Sequence, residues 1–152
     1  MSIALGIGIT FLSFWFMEFM AWFTHRFVMH GFMWHVHRDH HQGSPGFFEK
    51  NDLFFLIFAV PSWLFMMFGM MAGNDWRLYV GLGILLYGIA YFLVHEVIIH
   101  QRFKWFRNLD NTYVKAIRRA HKMHHKHLNK EDGESFGMLI VGKKYWEMVR
   151  KQ

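Results

Sequence analysis

The sequence predicts an all-α integral membrane protein with about three to four membrane helices and a cytoplasmic cap of histidine-rich helices. Three observations lead there. The hydrophobic share is 53%, and 18 Phe, 12 Met and 7 Trp in 152 residues exceed what a soluble core of this size can hide. Apolar stretches at 3–24, 53–72 and 78–99 each supply the roughly 20 helical residues that cross a hydrocarbon layer of about 30 Å. All 12 histidines lie at or beyond the C-terminal ends of the first and third stretches, so they gather on one side if there are three spans.

The length fits one domain, 1–152, with the cap formed by 25–52 and 100–152. The stretch 3–24 has no positively charged start and no small-residue cleavage site before His25, so it reads as a retained span rather than a cleaved leader. The stretch 53–72 contains Pro61 and Gly69, and 78–99 contains Gly81, Gly83 and Gly88. In a bilayer such residues permit kinks or close helix packing. A last apolar run, 136–141, is too short to cross and reads as a re-entrant or interfacial piece.

Charge sets the orientation. Of the 17 Lys and Arg, 13 follow His100, three lie between His25 and Asp52, and one, Arg77, lies in the short connection 73–77. The positive-inside rule places the first loop and the C-terminal segment in the cytoplasm and 73–77 outside. The basic surplus is thus explained by topology and anionic lipid, and no nucleic-acid partner is expected. Cysteine is absent, which excludes disulfides, a thiolate nucleophile and the thiolate ligands typical of structural zinc, so a metal here is expected to be held by nitrogen and oxygen.

The histidines follow a doubled pattern. His25–His30 reads HRFVMH and precedes HRDHH at His37–His41; His95–His100 reads HEVIIH and precedes HKMHH at His121–His125. In HxxHH, positions i, i+3 and i+4 share a narrow arc of an α-helix, so each reads as a one-face ligand set. Residues i and i+5 stand about 140° apart on an ideal helix. The HxxxxH pairs therefore converge only if the helix ends, bends or bulges between them, or else serve different metals. Ten patterned imidazoles are too many for one ion, whereas two metals with five nitrogens each keep one open position in an octahedral shell. Left without metal they would make a costly semi-buried cationic cluster. His35 and His127 fall outside the pattern and read as loop or interface residues.

The four boxes, with the flanks NDLF at 51–54, HQRF at 100–103 and SFG at 135–137, resemble the carotenoid-hydroxylating branch of the fatty acid hydroxylase and sterol desaturase superfamily of membrane non-haem di-iron oxygenases. The resemblance covers nearly the whole chain. It implies hydroxylation at C3 of a β-ionone ring of a carotenoid, two iron ions, dioxygen as co-substrate, and electrons from reduced ferredoxin and its NAD(P)H-dependent reductase. It further implies a multi-pass protein of the inner membrane with the metal site on the cytoplasmic face. Carried over residue by residue, the ligands are His25, His30, His37, His40, His41, His95, His100, His121, His124 and His125; which histidine serves which iron stays open. Glu18, two turns before His25, is a candidate to receive a ligand's second N–H, and Asp39, Asn51 and Asp52 are further candidates. Glu96, adjacent to His95, points elsewhere on an ideal helix. A carotenoid ketolase or a fatty acid or sterol hydroxylase would use nearly the same histidines. A metal transporter would instead place ionisable groups along a path through the spans, and a zinc hydrolase would need only three protein ligands.

Overall fold

The computed structural model describes residues 1–43 and 46–151; Ser44, Pro45 and Gln152, which fall within the expected cap, lie outside the described residues. The described residues form helices and connecting loops, with no strand. Among the described residues there are six α-helices: α1 (Ile3–Phe23), α2 (Trp34–Gln42), α3 (Leu53–Met71), α4 (Trp76–Phe92), α5 (Thr112–His125) and α6 (Lys143–Arg150). Two π-helical segments, Thr24–Phe32 and Leu93–Ile99, continue α1 and α4 without a break, and a 3₁₀ turn, Lys50–Asp52, leads into α3. Three runs are long and apolar enough to cross a membrane: Ile3–Phe32, Lys50–Met71 and Trp76–Ile99. The first, at about 1.5 Å per residue, is roughly 45 Å long. That is longer than the hydrocarbon thickness a span must match.

The chain divides into two compact units, Met1–Met20 with Asp52–Ala90, and Ala21–Asn51 with Tyr91–Gln152. The first is the membrane unit. Its helices expose apolar side chains such as Ile3, Leu12, Phe55 and Met71, as suits a lipid solvent. Contact inside it depends on small residues on α4. A Cβ added at Gly81 would stand 2.8 Å from the Ser62 carbonyl oxygen, and one at Gly83 would stand 2.6 Å from that of Thr10. Glycine at these points lets the backbones approach, and hydroxyls bridge them: Ser62 Oγ donates to the Gly81 carbonyl at 2.8 Å and Thr10 Oγ1 to that of Tyr79 at 3.1 Å. Gly88, in contrast, meets nothing within 4 Å. Glu18 is buried and accepts a hydrogen bond from Tyr87 Oη at 2.7 Å.

The second unit is the cap. Asn111 caps α5 by accepting from the Val114 N–H at 2.9 Å. One face of α5 then buries Ala116 and Ala120 against Tyr145 of α6. The other anchor of α5 is Arg118, whose guanidinium donates to the carbonyls of Ile98 and Leu109 at 2.9 and 3.2 Å. These bonds seat α5 beside the second π-helical segment. The run 136–141 contains no helix; it belongs to the extended stretch between α5 and α6.

Candidate metal centre

The spacing of the HxxxxH boxes is met by the π-helix. A π turn closes i→i+5 hydrogen bonds, so residues five apart stack as i and i+4 do in an α-helix. The His100 N–H donates to the His95 carbonyl at 2.9 Å, joining the two histidines of one box. After the first box the Met33 N–H donates to the Val28 carbonyl at 3.0 Å in the same way. Gly31 then leaves helical dihedrals (φ −105°, ψ −122°) and the chain turns into α2.

Two groups of imidazoles result. His25, His30, His37, His41 and His124 have ligand atoms all within 4.8 Å of one another, and His40, His95, His100 and His121 form a second such group. His125 stands against the second, its ring 4.5 Å from His121 and 4.6 Å from His40, and it also stacks on His41 at 4.6 Å. The expectation that each HxxHH acts as one ligand set is corrected here. From His37, at about 100° per residue, His41 lies about 40° to one side and His40 about 60° to the other. On α2 the pair His37 and His41 therefore joins the first group and His40 the second. On α5 the roles are exchanged: His124 joins the first group, and His121 joins the second with His125 alongside. Each group is thus one HxxxxH pair, members of the HxxHH that follows it, and one histidine borrowed from the other HxxHH.

Hydrogen bonding fixes which nitrogen points inward. In the first group Nδ1 donates to the carbonyl of Phe136 from His25 (3.1 Å), of Lys130 from His30 (3.1 Å), of His127 from His41 (2.9 Å) and of Glu134 from His124 (2.8 Å). His37 Nδ1 donates to Asn51 Oδ1 at 2.7 Å. Carbonyl oxygens only accept, so every one of these Nδ1 atoms carries the proton. The Nε2 atoms are then bare lone pairs that face each other, at 3.2 Å for His25 and His37, 3.1 Å for His41 and His37, and 3.3 Å for His30 and His124. Burial, reinforced by neighbouring imidazoles, lowers His37 to about 2, His124 to about 3 and His41 to about 4, so these rings are neutral at pH 7.

In the second group His40 Nδ1 donates to Glu49 at 2.7 Å and His95 Nδ1 to Glu96 at 2.6 Å. His100 and His121 bring their Nε2 atoms to 2.8 Å. The Nε2 atoms of His40 and His125 are buried with no hydrogen-bond partner among the described residues. Orphaned acceptors and facing lone pairs are expensive in a protein interior, and a cation removes the expense. Nitrogens that share an ion at about 2.1 Å stand roughly 3–4 Å apart, and the facing Nε2 pairs of the two groups stand 2.8–3.3 Å apart. The donor set fits two metal ions.

Of the other expected residues, Asn51 supports His37, whereas Asp39 accepts from the Lys50 backbone N–H at 2.8 Å and shapes the turn before α3. Asp52 is the N-cap residue of α3. His35 is exposed and His127 contributes its carbonyl rather than its ring. Glu96 does reach the ring of His95, at 2.6 Å from its Nδ1, so its side chain folds back onto its neighbour, contrary to the ideal-helix expectation. Sequence reasoning did not find Glu49, Arg102 or the carbonyls of 127–136. The flanking motifs held the signal: NDLF supplies Asn51, HQRF supplies Arg102, and SFG supplies the Phe136 carbonyl.

The chain matches the fatty acid hydroxylase family over residues 10–146. It is 38% identical over 128 residues to a beta-carotene hydroxylase of Pseudescherichia vulneris, covering 84% of this chain and 72% of that protein. With the beta-carotene hydroxylase of Pantoea ananas it shares 38% over 126 residues, 82% of this chain and 71% of that one. With the chloroplastic beta-carotene 3-hydroxylase of Gentiana lutea it shares 37% over 138 residues, 88% of this chain and 42% of the longer plant protein. No solved structure matches.

Proposed function

The chain belongs to the fatty acid hydroxylase family, and on that premise we propose that it is a β-carotene 3-hydroxylase. The reaction places hydroxyls at C3 of the β-ionone rings, taking β-carotene through β-cryptoxanthin to zeaxanthin. The similarity to bacterial and plant hydroxylases of that carotenoid supports the substrate. The observation that carries the chemistry is the pair of imidazole groups whose seven Nδ1 protons are tied to oxygen acceptors while their Nε2 lone pairs converge.

His25, His30, His37, His41 and His124 would hold one metal, and His40, His95, His100, His121 and His125 the other. Two irons with dioxygen supply oxidation of an unactivated C–H bond, which side chains cannot perform alone. The chain's own part is positional. Each Nδ1 acceptor locks a ring's tautomer and rotation, and the Phe136 ring, 5.1–5.4 Å from His25, His30 and His124, closes one side of the first group. His100 is exposed, so the second group has an open approach.

The Lys and Arg asymmetry supports a multi-pass inner-membrane protein with this centre on the cytoplasmic face, where reduced ferredoxin and its NAD(P)H-dependent reductase deliver electrons. Expression in cells that accumulate β-carotene, followed by pigment analysis, tests substrate and reaction together. Zeaxanthin and β-cryptoxanthin are expected; an unchanged pigment profile from correctly inserted, metal-loaded protein would contradict the assignment.

A further inference from the structure

The two imidazole groups are supported by different chemistry. Every Nδ1 acceptor in the first group is a neutral carbonyl, four from the backbone and one from Asn51. In the second group the acceptors of His40 and His95 are carboxylates. One cation reaches both: Arg102 Nε lies 3.0 Å from Glu96 Oε2, and its Nη2 lies 3.6 Å from Glu49 Oε2. The Arg102 side chain is 17% exposed and those of Glu49 and Glu96 are 18% and 12% exposed, so the trio is largely shielded from water. Its backbone is fixed as well, with the Arg102 N–H donating to the Glu96 carbonyl at 2.9 Å.

We propose that Glu49, Arg102 and Glu96 are positioning residues for the second metal site alone, and that they make the two sites unequal in affinity. This rests on the two-metal reading above. An imidazole whose N–H is held by an anion is a stronger electron donor through its other nitrogen than one held by a neutral carbonyl. Two carboxylates and one guanidinium leave one net negative charge beside the second group, which favours a divalent cation there. Arg102 keeps both carboxylates in line at once. It also prevents like-charge repulsion between them from turning either ring.

The test is metal binding by purified full-length protein in detergent micelles, titrated anaerobically with Fe²⁺ and then with a competing chelator, read as metal per chain at each chelator concentration. Wild type should release its metals in two separate steps. Glu49→Gln with Glu96→Gln should weaken the tighter step by about 10- to 100-fold and leave the looser step in place. Arg102→Gln should do so in part, and Arg102→Lys, which keeps the charge, should recover some of the loss. Asn51→Ala, acting on the other group, should shift only the looser step, which shows that a selective loss is not general misfolding. Two metals in wild type, released together in every variant or unaffected by the Gln pair, would overturn this proposal and leave the two-metal reading standing. Fewer than two metals in wild type would overturn both.

Discussion

Replacing Asn51 with alanine should weaken metal binding at the first group more than any other change outside the histidines. Asn51 Oδ1 accepts the Nδ1 proton of His37 at 2.7 Å, and the two residues are 7% and 1% exposed. At such burial bulk solvent does not reach the Nδ1 proton that the change leaves without its acceptor. An unsatisfied buried donor costs about 1–3 kcal/mol, and at about 1.4 kcal/mol per decade this is a loss of roughly 5- to 150-fold in affinity. The range agrees with the 10- to 100-fold generally seen when a metal ligand loses its supporting hydrogen bond. Asn51→Asp keeps the acceptor and adds charge, so it should bind at least as tightly as wild type. The assay is chelator competition on the purified protein, with zeaxanthin yield in β-carotene-accumulating cells as a parallel readout. Wild-type affinity in Asn51→Ala would refute the claim that this bond orients His37.

Further outcomes follow from the same geometry. Alanine at any of the ten patterned histidines should nearly abolish zeaxanthin, whereas His35→Ala and His127→Ala should retain most of it, since one ring is exposed and the other residue serves through its carbonyl; pigment analysis decides, and a fully active, normally metallated His124→Ala would break the ligand assignment. Gly83→Ala should lower thermal stability in detergent by about 1–3 kcal/mol through overpacking against the Thr10 carbonyl, while Gly88→Ala, with open space around it, should be near neutral; equal effects would contradict the packing described for α4. Single cysteines at Gly43 and Asn74, in a chain with none of its own, should be labelled from outside intact cells only at position 74. Labelling at 43 would place the centre on the wrong face for its electron donor.

How much of this was legible in the sequence depended on whether a feature is written in side chains. The spans were legible because a bilayer demands long apolar runs, and α3 and α4 fall within two residues of the expected starts. The doubled histidine pattern was legible as two metals' worth of imidazole. Its division was not, because a one-face view of HxxHH treats i+3 and i+4 as equivalent, and they straddle the face on opposite sides. The i+5 spacing signalled an irregular helix, and the structure makes it a π turn; Glu96 also reaches the ring of His95, against the ideal-helix expectation. The carbonyls of Lys130 and Glu134 could not be read at all, since a backbone acceptor carries no residue identity, and that of Phe136 was marked only by the SFG flank. They emerge only when the non-helical chain between α5 and α6 is seen to pass behind the first group.

Metal analysis of purified, catalytically active protein decides whether the ten imidazoles hold two redox metals. By the ligand count about two irons per chain are expected, with turnover that ceases when either oxygen or the electron donor is withheld. Protein that hydroxylates carotenoid anaerobically with zinc as its only metal would contradict that expectation.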